Sequence, residues 1–247
     1  MHCQLQITPA RPVNFKSYLH LVFVIGTILI SGCATTKDFS SAQTLSTPVG
    51  EQKKIVLMPL DVELSKLTAG GVLEPNAAWT SAAKRHITNN LTSVLSSQSL
   101  DVAVYSPPSE SDEDYTTLND LEKLHGAVGQ AILLHKYTVP LATKKNSFDW
   151  SLGRTVTTLK SRSDATHALF IFIRDSYSTG GRIFVQLAAA ALGVGLVGGQ
   201  QIGFASLVDL TTGEVVWFNH LHSTAGDLRT SEPAKKTVAL LMSGLPK

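Results

Sequence analysis

Cys33 is the residue whose chemistry is best framed by its neighbours. It follows Ile30-Ser31-Gly32, small residues that let a peptidase approach the backbone, and its thiol can take a thioether-linked lipid. Elsewhere, groups able to do chemistry are sparse. His220-Leu221-His222 sets two imidazoles on one face of a strand, a pair that binds metal when other ligands complete the site. Only Asp227 follows, so the pair reads as a polar strand end. Gly193-Val194-Gly195-Leu196-Val197-Gly198 has the letters of a dinucleotide fingerprint. That fingerprint must follow a strand and open a helix, whose N-terminus then faces the pyrophosphate. Here a helix-like Ala-rich run comes first and a strand after, so the glycines read as an apolar turn. The run 106–114 (SPPSESDED) carries four acids but lacks the central glycine turn of a calcium loop, and reads as solvated.

No G-x-S-x-G, H-E-x-x-H or phosphate-loop lysine motif is present. No catalytic residues, cofactor or metal are expected, and the chain is not read as an enzyme. One candidate surface remains. Asp175-Ser176 follows a strong strand, where α/β proteins often place working residues, and Tyr177, Gly180, Gly181 and Arg182 continue the segment. Loops after buried strands are held by a rigid scaffold and carry function disproportionately. Asp175, Tyr177 and Arg182 are therefore expected to form a partner-binding surface.

The context of Cys33 sharpens its reading. Residues 1–17 hold Arg11 and Lys16 and no acid. Tyr18 to Ile30 is almost wholly apolar, broken by His20 and Thr27. As a helix that run reaches only ~20 Å, against a hydrocarbon core of ~30 Å, so a signal h-region fits better than a spanning anchor. With Ile30-Ser31-Gly32-Cys33 this resembles the lipobox of bacterial lipoproteins. The resemblance implies a signal peptide over 1–32 and a mature chain that starts at acylated (palmitate-bearing) Cys33. Ala34, a non-aspartate, is similar to the outer-membrane sorting signal; the inner membrane is the second choice.

Two of the 21 basic residues and none of the 19 acids lie in the signal, leaving 19 of each sign. A neutral mature chain has no basic field for nucleic acid. Cys3 leaves with the signal and Cys33 takes lipid, so no thiol remains for a disulfide, a metal or catalysis.

Residues 33–50, rich in Ser and Thr without apolar periodicity, read as a flexible tether with a typical reach of ~20–25 Å. A single domain is expected over 51–247. It opens on a buried strand, Lys54 to Leu60, stopped at Pro59, and continues through an irregular stretch over 61–78. A helix capped by Thr80 or Asn76 runs to about Gln98, its face set by Ala83, Ile87, Leu91, Val94 and Leu95. A brief strand follows at 101–105, then helices at 118–137 and 151–163. Ala168 to Arg174 (ALFIFIR) is the clearest buried strand. The Ala-rich and nearly uncharged run 182–198 is expected to pack inside the domain as a helix or helical hairpin, with a spanning helix, or contact of 183–198 with lipid, as the alternative. Strands over 202–210 and 214–221 form a hairpin with Gly213 placed for positive φ, and a helix over 232–245 closes the chain. This order implies an α/β fold: a mixed β-sheet with a C-terminal hairpin, packed by helices in two or three layers.

The hairpin Ile202-Gly203-Phe204-Ala205-Ser206-Leu207-Val208-Asp209-Leu210-Thr211-Thr212-Gly213-Glu214-Val215-Val216-Trp217 is the most informative stretch. It resembles the hairpin of a group of envelope lipoproteins. These are the curli-secretion lipoprotein CsgG, the outer-membrane activators of penicillin-binding proteins, and domains similar to the TolB N-terminal domain. The opening strand and the strand before the hairpin look like theirs. The stretch 61–78 and the run 183–199 match neither an activator nor a pore. The resemblance implies a fold and an envelope location, with the chain on the periplasmic face of the outer membrane. Its expected function is that of a lipid-anchored accessory protein that binds an envelope partner. The alternative is an oligomeric structural subunit of an outer-membrane secretion assembly. A membrane barrel needs alternating strands of ~9–11 residues with an apolar outer band. The hairpin's first strand is apolar on both faces, which suits burial in a domain.

Overall fold

A computed structural model describes residues 34–40, 54–98, 100–144 and 147–246; the proposed signal peptide and Cys33 lie outside these. Among the described residues eight strands form one mixed sheet: β1 (Ala34–Ser40), β2 (Lys54–Leu57), β3 (Asp61–Leu67), β4 (Leu73–Pro75), β5 (Asp101–Val104), β6 (His167–Ser178), β7 (Gln201–Asp209) and β8 (Val215–Ser223). The helices are α1 (Ala77–Ser97), α2 (Tyr115–Tyr137), α3 (Thr157–Ser163), α4 (Gly180–Ala191) and α5 (Ser231–Leu241). Across the sheet the order is β1-β8-β7-β6-β2-β5, with β3 also on β6 and β4 on β3.

β6 organises the molecule. Its residues alternate between faces, as strand geometry requires. Leu169, Ile171 and Ile173 join one core with Ile87, Leu91 and Leu95 of α1 and Val238 and Leu241 of α5. Ala168, Phe170 and Phe172 join the other, with Leu118, Leu121 and Ile132 of α2 and Leu159 of α3. Helices therefore cover both faces, which selects three layers from the two arrangements the sequence allows. Phe204 stacks between Phe172 (4.8 Å) and Phe218 (5.4 Å). α2 approaches this stack closely enough that a Cβ on Gly129 would lie 2.0 Å from the Phe204 ring, so only glycine fits.

Along one side of β6, β2 and β3 pair in succession, both parallel to it: Ile55↔His167 to Leu57↔Leu169, then Asp61↔Phe172 to Leu67↔Ser178. Pro59, which has no N–H to give a ladder, sits in the gap between them. The stretch expected to be irregular over 61–78 is thus a strand, a turn, the short β4 and the start of α1. Val62 and Leu64 are buried on one face while Glu63 points outward on the other, which closes over Ser65 and Leu67, a pattern that its charges and nearby glycines obscure.

Further differences follow the same logic. Residues 34–40 fall within the stretch read as a flexible tether, yet they pair antiparallel with β8, from Ala34↔Ser223 to Ser40↔Trp217. Thr is a good strand former, and composition alone gave no sign of an available sheet edge. The helix expected over 151–163 is confined to α3, after a single 3-10 turn at Arg154–Val156, because Gly153 at φ +76° breaks the run. Asn76 rather than Thr80 caps α1, accepting from the Trp79 amide at 3.0 Å. Thr80 Oγ1 instead accepts from the Leu64 amide. Two of the four acids in the 106–114 loop are pinned: Arg162 of α3 bridges Asp114 (2.9 Å) and Asp112 (3.1 Å). Gly213 stands at φ +80° in the β7–β8 turn, as the hairpin pattern requires.

Candidate functional site

The C-terminal half of β6 carries the site. Because β3 pairs with it as far as Ser178, Asp175 to Ser178 belong to the strand and not to the loop expected there. Asp175 is 5% exposed, too buried to present itself to a partner. It faces Gln201 across the β6–β7 ladder. Tyr177 Oη donates to Asp175 Oδ2 at 2.5 Å, and Gln201 Nε2 donates to the same oxygen at 2.9 Å. Gln201 Oε1 accepts from Thr237 Oγ1 of α5 at 3.1 Å, while Tyr177 Oη accepts from the Leu228 amide at 2.8 Å. These bonds tie β6, β7, α5 and the loop before it into one buried polar knot.

Electrostatics follow from burial. Desolvation raises the Asp175 carboxyl to about 6, against the stabilising bonds from Tyr177 and Gln201. Burial likewise pushes the Tyr177 phenol up, and the neighbouring Asp175 charge adds to this. At the rim, Asp227 is held low by hydrogen bonds from Arg229, which grips it at 2.8 Å through two nitrogens. The Arg229 guanidinium lies over the rings of Tyr177 (3.9 Å) and Trp79 (4.6 Å), and Trp79 meets Tyr177 edge-on at 5.7 Å.

Above the knot opens a cleft of about 330 Å³, walled by Trp79, Tyr177, Thr179, Ile183, Gln200 and Arg229. Arg182 does not reach Asp175. It opens α4 and its Nη2 donates to the Val197 carbonyl at 2.7 Å, clamping the chain that returns from α4 to β7. The three residues expected to form one surface therefore have three places: Asp175 beneath the cleft, Tyr177 in its wall, and Arg182 at the base of α4.

No family model matches the chain, and no curated protein matches it. Solved structures do. The PelC dodecamer from Paraburkholderia phytofirmans is 14% identical over 86% of this chain and 99% of that one, with a TM-score of 0.39. A variant of the same dodecamer gives 14% identity, 87% and 99% coverage, and 0.38.

Sequence reasoning missed Trp79, Gln201, Thr237, Asp227 and Arg229. They lie on four separate segments, and no spacing rule joins them. It also misplaced the run 182–198. No residue between Gly180 and Gln200 is buried; Phe184 is 72% and Leu187 68% exposed. The glycines of 193–198 come after a helix and before a strand, the order read from the sequence. His220 packs against the Tyr137 ring at 4.3 Å and His222 is exposed. Among the described residues no group of three or more His, Cys, Asp or Glu is placed to hold a metal, and no helix is long and apolar enough to cross a membrane.

Proposed function

We propose that this chain is a non-enzymatic, lipid-anchored accessory protein of the periplasmic face of the outer membrane, and that it binds an envelope partner through the cleft at the end of β6. The observation that carries the partner reading is the stack of Arg229 on Tyr177 and Trp79 at the cleft rim. Trp, Tyr and Arg dominate the energetic centres of protein interfaces, and here a buried knot holds them rigid before binding. The lipid anchor rests on the resemblance of residues 30–33 to a lipobox, and on a charged and then apolar segment before it.

Crosslinking in intact cells followed by mass spectrometry tests both parts. Trp79→Ala removes half of the stacking platform without touching the hydrogen-bonded knot. It should lose the specific wild-type crosslink while melting within a few degrees of wild type; an unchanged crosslink pattern moves the interface elsewhere. Cys33→Ala should accumulate unprocessed precursor that takes up no palmitate analogue, and normal labelling of that variant removes the anchor.

A further inference from the structure

At the end of the sheet that carries the cleft, two unrelated segments beside it, α4 with the chain returning from it and the β3–β4 turn, present apolar and exposed side chains. α4 leaves β6 there. On a helix of 3.6 residues per turn, its exposed positions Ile183, Phe184, Leu187, Ala188, Ala190 and Ala191 cover an arc of about 160° without one polar side chain. The returning segment adds Leu192 (83% exposed), Val194 (51%) and Val197 (62%). The β3–β4 turn sits beside the start of α4, where Ala69 Cβ lies 3.4 Å from the place a Gly181 Cβ would take. This turn contributes Val72 (61%) and Leu73 (56%). After Arg182 the sequence carries no charge until Asp209. Monomeric soluble proteins rarely leave so continuous an apolar surface uncovered.

The sheet register says what lies next to it. Ala34 pairs with Ser223, Ser223 with Gln201, and Gln201 with Asp175, so these four residues form one row across the sheet. α4 begins five residues beyond that row. Cys33 is bonded directly to Ala34. The residue read as bearing the lipid therefore enters the fold at the end that bears the exposed apolar helix.

We propose that α4 and the β3–β4 turn form a membrane-contact surface, which lies in the headgroup boundary of the bilayer that the Cys33 acyl chains enter. This rests on the anchored reading above. At 1.5 Å per residue the helix of 12 residues is about 18 Å long. It is too short to span, and an apolar arc of this width can lie in the interface ~5–10 Å deep. A lipid phase suits an arc this wide better than a second protein does, because acyl chains close around a protruding helix whereas a flat protein face covers one side of it. The composition of α4 fits as well: its one charge, Arg182, is already engaged with the Val197 carbonyl.

The test uses the full-length protein, processed in cells, purified and reconstituted in vesicles of phosphatidylethanolamine and phosphatidylglycerol. Single cysteines at Phe184→Cys, Leu187→Cys and, as a control in the exposed β7–β8 turn, Thr212→Cys carry an environment-sensitive fluorophore. The two α4 labels should shift to shorter wavelength, and lipid-borne nitroxides should quench them several-fold more than aqueous nitroxides do. The Thr212 label should show the reverse. Aqueous quenching of the α4 labels overturns the proposal. So does shielding from both quenchers together with crosslinking of α4 to a second copy, which makes the helix a subunit interface. Palmitate-analogue labelling of the same preparation reports the anchor separately. If acylation is absent, the α4 labels still answer when vesicles are added to the protein.

Discussion

The two ends of the sheet are built from the same strands yet differ in how much apolar surface they leave exposed. At the hairpin end, β7 and β8 are joined by Thr211-Thr212-Gly213, the Asp209 side chain accepts from the Thr211 and Thr212 amides, and Lys160 reaches Thr211. Asp164, 99% exposed at its side chain, pairs with Lys54. That end is charged, hydrogen-bonded and suited to water. At the other end, α4 and the β3–β4 turn present Phe184, Leu187, Leu192, Val72 and Leu73. The hydrophobic effect thus makes the hairpin end content in solvent and leaves the α4 side of the other, next to the polar cleft, in need of a cover.

The comparison is broken most forcefully at the hairpin end. Gly213→Val places a β-branched residue at φ +80°, with its Cβ 2.2 Å from the Gly153 carbonyl oxygen. Strain and collision together should cost ~3 kcal/mol, or about 6–12 °C in Tm for a domain of this size. An unchanged Tm would show that the turn is not the rigid element described.

Between the two ends, the knot under the cleft gives a smaller and pH-dependent effect. The Asp175 carboxyl titrates at about 6 in the folded chain against 3.8 when free. The folded chain holds a proton that the unfolded chain releases between those values, so stability falls as pH rises through this window. Asp175→Asn can still accept from Tyr177 and Gln201 and removes that loss. Urea unfolding should find it up to ~3 kcal/mol more stable than wild type at pH 7, with the difference vanishing as pH falls below the free value of 3.8. Comparison with wild type also cancels the opposite slope of buried His125, held down to about 3 by burial, which weakens the fold as pH drops below 6.5. A variant less stable than wild type at pH 7 would mean that the carboxylate is a net support of the knot.

The smallest effect belongs to the apolar end. Phe184→Ser should change the unfolding free energy by no more than ~0.5 kcal/mol, because an exposed side chain loses little when truncated. A loss above ~1 kcal/mol would place Phe184 in a core and remove the contrast between the ends.

Much of the architecture is legible in the residues. The positions 83, 87, 91 and 95 repeat at helical spacing, and all four are buried under α1. The run from Ala168 to Arg174 is apolar on both faces because a helical layer covers each. The site is another matter, and two of its misreadings share one origin. Asp61–Leu67 hides a strand behind Glu63 and Lys66, and without β3 there is no reason for β6 to continue past Arg174. Asp175 then reads as an exposed loop carboxylate when it is a buried hub. The knot itself joins residues 175, 177, 201, 228 and 237, which only the folded chain brings within hydrogen-bonding distance. The run 183–197 reads as interior from hydropathy alone, which measures preference for an apolar medium and does not say whether protein or lipid supplies it.

The pairing of β1 with β8 has a mechanical meaning. A tether of seventeen residues would give an anchored domain freedom to tumble over a radius of ~20–25 Å. With Ala34 already in the ladder opposite Ser223, the proposed attachment point is one peptide bond from the sheet, and a lipid there would fix the attitude of the domain as well as its height. The covalent path from Cys33 to the rest of the fold runs through residues 41–53, but the physical grip runs through the seven residues of β1. A nick anywhere between Ser40 and Lys54 would cut the first and leave the second, so the severed domain would stay clipped to its own anchor by a strand.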